Sequence, residues 1–163
     1  MRVLATLAVA ACAACGGDAS PPAQPIAFSH KVHAGDHEVP CIDCHVGAET
    51  SAHASLPALS RCLVCHMKPQ GDKPNPREQV VRELAIKRGP FRWTQVTRNA
   101  GHVHFSHGIH VSIVKLPCSD CHGDVTLWER PPESPNPALT NMGACLACHR
   151  ERGAATDCDT CHH

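Results

Sequence analysis

Cys41-Ile42-Asp43-Cys44-His45 is the first of five copies of one pentapeptide, Cys-x-x-Cys-His. The others read Cys62-Leu63-Val64-Cys65-His66, Cys118-Ser119-Asp120-Cys121-His122, Cys145-Leu146-Ala147-Cys148-His149 and Cys158-Asp159-Thr160-Cys161-His162. This spacing is the attachment signature of haem c: two thiols form thioethers with the vinyl groups and the adjacent His ligates iron. Cysteines at i and i+3 share one side of a helical turn, and the next residue can swing an imidazole under the ring. A single Cys-x-x-Cys reads equally well as a zinc knuckle or a redox dithiol. Five copies do not, because a zinc ribbon uses knuckles in pairs and tetrahedral zinc does not demand a His at one fixed place. The expected cofactors are therefore five covalent haems c, held by Cys41, Cys44, Cys62, Cys65, Cys118, Cys121, Cys145, Cys148, Cys158 and Cys161. His45, His66, His122, His149 and His162 are the expected proximal iron ligands.

Composition agrees with a chain organised by its cofactors. Phe28, Phe91, Phe105, Trp93 and Trp128 are the only aromatics among 163 residues, too few to build an ordinary core. Porphyrins supply the missing apolar mass, and the chain without them is expected to be largely unfolded. Fourteen Pro and eleven Gly imply irregular connections between short helical turns. The fold class expected is mainly α with extensive irregular loops, a small multihaem cytochrome c fold. The formal net charge is zero, but each haem adds about −1 to −2, which makes a holoprotein of about −5 to −10. Basic or mixed-charge protein faces suit it as redox partners, and nothing points to nucleic acid.

The two ends of the repeat register are unmistakable. Phe28-Ser29-His30-Lys31-Val32-His33 and Phe105-Ser106-His107-Gly108-Ile109-His110 each lead, through seven residues ending in Pro, to a motif cysteine, with a constant offset of 77. This is duplication of a haem-binding unit. An iron held by its motif His has an open sixth position, closed most often in multihaem proteins by a second imidazole. Paired His residues at i and i+3 can reach two different irons, so His30, His33, His107 and His110 are the leading distal ligands. His53 is a fifth candidate; His102, His104, His37 and His163 are alternatives, and Met142 offers a His/Met pair.

Five segments follow. Residues 1–15 have a basic start, a short apolar run and Cys12 and Cys15, as in a bacterial lipoprotein signal with cleavage before one of those cysteines. The run is too short to span a bilayer. Residues 16–25 form a Pro-rich tether, 26–67 a two-haem cluster, 68–101 a linker and 102–163 a three-haem cluster. Within the linker, Asn75, Pro76 and Glu78 predict the start of a helix near 76–88, with Gly89 as its stop. This segment is expected to clamp the two clusters or to dock on a partner. The whole is expected on the periplasmic side of a bacterial membrane, held by a lipid anchor.

Several stretches together resemble a known family: Gln24-Pro25-Ile26-Ala27-Phe28-Ser29-His30, Ser51-Ala52-His53-Ala54-Ser55-Leu56-Pro57, the Trp93 segment, His104-Phe105-Ser106-His107 and Met142-Gly143-Ala144-Cys145-Leu146-Ala147-Cys148-His149-Arg150. In that order, with the motifs, they are similar to the pentahaem cytochrome subunit of alternative complex III. They are also similar to multihaem subunits of related quinone reductase complexes and, more loosely, to class III multihaem cytochromes. The resemblance implies an electron carrier in or beside a membrane quinol-oxidising complex. It departs from the family in lacking a recognisable transmembrane anchor and in ending on a motif with little chain left to cover it. The expected function is electron transfer without catalysis and without a small-molecule substrate. The competing reading is a multihaem reductase of a small nitrogen or oxygen species at a five-coordinate haem, against which stand the surplus of His and the absence of a Cys-x-x-Cys-Lys variant.

Overall fold

The computed structural model describes residues 23–163. The expected signal peptide, the cysteines at 12 and 15 and most of the tether lie outside the described residues. Short helices alternate with irregular chain, and there is no strand among the described residues. In order they are a π-helical turn Lys31–Asp36, α1 (Cys41–Cys44), α2 (Leu59–His66), α3 (Pro76–Lys87), a second π-helical turn Ile109–Ile113, α4 (Ser119–His122), a 3-10 turn Val125–Leu127, α5 (Pro137–Thr140), α6 (Met142–Glu151) and α7 (Cys158–Cys161). The expected mainly α, loop-rich fold is what is found. No helix among the described residues is long and apolar enough to cross a membrane.

The motifs start helices because Cys-x-x-Cys needs only one turn. In three of them the His amide closes that turn: His45 N–H donates to Cys41 O (2.9 Å), His122 N–H to Cys118 O (3.0 Å) and His162 N–H to Cys158 O (2.9 Å), while α2 and α6 run through His66 and His149. The linker helix is α3. Asn75 caps it by accepting from Arg77 N–H (3.0 Å), Pro76 takes the first position, and the left-handed stop falls on Arg88 (φ 49°) rather than on Gly89. Glu78, read from sequence as a first-turn capping residue, instead turns its carboxylate inward and is buried. α3 packs along α2. The chain after it returns to the first half, where Trp93 Nε1–H donates to Pro57 O (2.8 Å) and Thr94 exchanges two hydrogen bonds with Gln24. Asn136 N–H reaches Thr97 Oγ1 (3.5 Å) from the other side.

The local hydrogen bonds and ring contacts of the repeat recur in both copies. Ser29 Oγ accepts from Val32 N–H (3.2 Å), and Ser106 Oγ from Ile109 N–H (3.3 Å). Phe28 stacks on His33 (4.5 Å, 24°) and Phe105 on His110 (4.6 Å, 27°). Both units leave their π-helical turn through a left-handed residue, Glu38 (φ 53°) and Lys115 (φ 62°), which also stand 77 apart. A π-turn is wider than an α-turn and recurs at functional sites.

The two units also interlock reciprocally. Lys31 N–H donates to Trp128 O (2.9 Å), and Gly108 N–H donates to Ser51 O (2.8 Å). Gly108 is the equivalent of Lys31, and Trp128 the equivalent of Ser51. The same exchange holds one turn on: Gly35 lies under Thr126 O, where a Cβ would come within 2.6 Å, and its equivalent Ser112 donates to Glu49 O (2.6 Å), with Glu49 and Thr126 again 77 apart. Each unit thus gives its π-turn to the far segment of the other, the relation of a two-fold axis within one chain.

Apolar burial is slight. Ile26, Ala48 and Val81 are the buried hydrophobic residues among those described, and no side chain is fully enclosed. Val64, Met67, Ile86 and Leu127 are exposed.

Candidate haem-ligating site

Imidazoles meet in pairs. The ring centres of His33 and His66 lie 6.0 Å apart, those of His107 and His122 6.4 Å, and those of His110 and His149 6.2 Å. Each pair joins one His of a Phe-Ser-His-x-x-His stretch to one motif His. The separation is that of two imidazoles on opposite sides of a metal, each with a metal–nitrogen bond of about 2 Å and about 1 Å more to its ring centre. The first repeat supplies the fourth member: His30 and His45 are the equivalents of His107 and His122. His30 is held down to about 4 by burial first, then by His45 and His33. His122 is lowered by burial, then by His107 and His45. Burial thus favours the neutral form of both rings, the one with a lone pair for a metal.

The rings are also turned the right way. His33 Nδ1 donates to Ser29 O (2.9 Å), His45 Nδ1 to Ser55 O (2.8 Å), His107 Nδ1 to Ala52 O (3.0 Å), His110 Nδ1 to Ser106 O (2.8 Å), His149 Nδ1 to Ala155 O (2.6 Å) and His162 Nδ1 to His102 O (3.1 Å). A carbonyl fixes Nδ1 as the protonated nitrogen and leaves Nε2 for iron, the usual outer-shell arrangement of a ligating His. His66 departs from the pattern: its buried Nδ1 faces the Glu78 carboxylate, Oε1 at 3.2 Å, out of line for a full hydrogen bond. His30 Nδ1 is buried without a partner. Paired rings with Nε2 free fit axial ligation of haem iron. No three His, Cys, Asp or Glu side chains converge among the described residues.

The motifs themselves are neighbours in a definite order. Cys44 is pushed up by burial and, further down its causes, by Cys65; Cys62 is pushed up by burial and then by Cys44. Arg61, just before the second motif, pairs with Asp43 inside the first (3.6 Å) and also donates from Nε to its carbonyl. The second repeat does the same. Cys121, the equivalent of Cys44, is raised by burial and then by Cys148, and Asp120, the equivalent of Asp43, pairs with Arg152 at the end of α6 (2.9 Å). Across the two-fold, Cys118 is raised by burial and then by Cys41, whose thiol is within hydrogen-bonding reach. The order in space is second, first, third, fourth.

The fifth motif docks on the segment before the second repeat. His104 N–H donates to Cys161 O (2.8 Å), His102 stacks on His162 (5.3 Å, 26°) and His104 on His163 (4.1 Å, 18°). Both separations are shorter than those of the three pairs. His53, expected as a distal ligand, is exposed, with its amide held by Ser51 Oγ (3.3 Å). His37 is exposed at the end of the first π-turn, and Met142 is exposed at the start of α6. Sequence reasoning placed Glu78 at a helix start and not beside His66, and did not single out Arg61 or Arg152; the Asp at the same place in the first and third motifs is the one signal that could have pointed to the last two.

Residues 103–163 match the family of cytochrome c7 and related cytochrome c. Over 162 aligned residues the chain is 29% identical to the menaquinone reductase multihaem cytochrome c subunit of Nitratidesulfovibrio vulgaris, a match covering 85% of this chain and 76% of that subunit. The repeated attachment motifs and the short-helix fold agree with these two likenesses: the chain is similar to multihaem c-type cytochromes, that reductase subunit among them.

Proposed function

We propose that the chain is a pentahaem electron conduit with no catalytic site of its own, working beside a membrane complex that processes quinones. The observation that carries this reading is the set of His pairs at 6.0–6.4 Å. Haem supplies one-electron redox chemistry; the chain supplies two imidazoles to each of the first four irons, which leave no vacancy there for a substrate. In this reading His30 and His45 serve the first motif, His33 and His66 the second, His107 and His122 the third, His110 and His149 the fourth. His162 is the proximal ligand of the fifth. Each π-turn sends its two His residues to two adjacent haem sites, so ligation itself fixes neighbouring haems side by side. The adjacency of the motifs makes the first and third sites, at the two-fold, the crossing point between the two halves.

The quinone connection rests on the likeness to a menaquinone reductase subunit, and export on the chemistry of haem attachment, which takes place outside the cytoplasm. The lipid anchor at Cys12 or Cys15 remains part of the proposal. Co-purification with an intact quinone-processing complex is the expected result of gentle membrane solubilisation; recovery only as a free carrier would remove the partner assignment. Mass spectrometry of the denatured protein is expected to find five haems per chain.

The reductase reading has one specific foothold, the fifth motif, where His162 has its neighbouring ring stacked against it at 5.3 Å rather than opposed at about 6 Å. Spectroscopy separates the two readings. Five low-spin haems unchanged by carbon monoxide or cyanide support the conduit. A high-spin haem that binds those ligands tightly and turns over nitrite or hydroxylamine would replace it with the reductase.

A further inference from the structure

Glu78 stands apart from every other outer-shell group in the molecule. It belongs to α3, a helix that carries no haem motif, yet it is buried to 7% exposure and its side chain points at α2. Its Oε1 lies 3.2 Å from His66 Nδ1 and 2.5 Å from Arg82 Nη1, and both its oxygens accept from the Gln70 N–H at 3.1 and 3.2 Å. His66 Nδ1 is itself shut off from solvent and has no other acceptor. Six other ligand-candidate imidazoles give Nδ1–H to a neutral backbone carbonyl. Among the described residues, only here is the facing group a carboxylate.

The difference has an electronic consequence. A carboxylate facing Nδ1–H draws the proton toward itself and makes the imidazole a stronger donor through Nε2. A stronger donor, with a buried negative charge behind it, favours ferric over ferrous iron. Arg82 competes for the same oxygen, so it limits the effect without removing it.

We propose that Glu78 is a positioning residue that lowers the reduction potential of the second haem site by acting through His66. The inference rests on the reading that His66 is an axial ligand. It gives α3 a use beyond packing: the helix places one tuned charge at the end of the row of sites, where a low-potential haem biases the direction of electron flow.

The test is a redox titration of the full holoprotein, with each haem followed by its optical and paramagnetic signals. Glu78→Gln keeps the size and the acceptor for Gln70 but removes the charge, and is expected to shift one midpoint upward while all haems stay low-spin. Arg82→Gln, which frees the carboxylate for His66, is expected to shift the same midpoint downward. Opposite shifts on one haem support the proposal. Unmoved midpoints in Glu78→Gln overturn it, as does conversion of one haem to high spin, since Glu78 would then be holding the ligand and not tuning it. The underlying assignment fails separately: if His66→Ala leaves every haem attached and low-spin, His66 is not a ligand.

Discussion

An imidazole with two nitrogens can ligate a metal with either, and a protein that must hold several irons in a small volume has to remove that choice. Here the choice is removed locally. In each Phe-Ser-His-x-x-His stretch the serine carbonyl four residues back takes the proton of the second His (His33 on Ser29, His110 on Ser106) and the serine hydroxyl holds the turn. The first His of the second stretch finds its carbonyl across the two-fold, at Ala52. His107→Ala removes one imidazole and leaves both cysteines and His122 of the third motif in place. The expected product keeps five covalent haems by mass but gains one high-spin haem and binds one equivalent of carbon monoxide. Binding by no haem in this variant would refute the pairing of His107 with His122. At Ser29, replacement by Ala removes only the hydroxyl contact to Val32 N–H, worth about 0.5–1.5 kcal/mol, and the expected effect is a small loss of stability with the haem spectrum unchanged.

At the scale of elements, the device that repeats is the π-turn seated under the far segment of the other half. The two copies solve the same contact differently. The first uses Gly35, whose missing side chain lets Thr126 O approach to what would be 2.6 Å from a Cβ. The second uses Ser112, whose hydroxyl reaches Glu49 O. Gly35→Ala is therefore expected to cost about 1–3 kcal/mol, because the obstructing atom is backbone and cannot rotate away. Ser112→Ala at the equivalent place costs about 0.5–1.5 kcal/mol, the worth of one hydrogen bond. Denaturant midpoints of the two holoproteins check the order; equal losses would show that the interface is not seated as closely at Gly35. This contrast also marks what sequence can convey. Cys-x-x-Cys-His and the 77-residue offset are legible because haem attachment and duplication act on residues close in the chain. The cap at Asn75 and Pro76 is legible for the same reason. The reciprocal seating of 31 on 128 and 108 on 51, the inward turn of Glu78 and the pairing of His33 with His66 are set by contacts across the fold. No local spacing encodes them.

For the molecule as a whole, the question is what holds it together. The helices bearing the first, third and fifth motifs have four residues each, far below the length at which a helix is stable by itself in water. The ion pairs that tie motif to motif, Asp43 with Arg61 and Asp120 with Arg152, are partly exposed and contribute at most about 1 kcal/mol each. Buried apolar residues are few and small. Against these stands the conformational entropy of a loop-rich chain, about 1–2 kcal/mol per ordered residue for the backbone alone. Among the described residues neither local helix propensity nor the apolar core offsets that cost, so under the proposed ligation the thioethers and axial bonds would. The chain made where haem is not attached is accordingly expected to show a far-ultraviolet spectrum without helical minima and rapid proteolysis throughout residues 23–163, whereas the haem-loaded form resists both heat and protease. A haem-free chain with the helical signal of the loaded protein would mean that the fold precedes its cofactors. Folding would otherwise proceed haem by haem, and the reciprocal contacts between the halves would form only when the first and third motifs are both loaded.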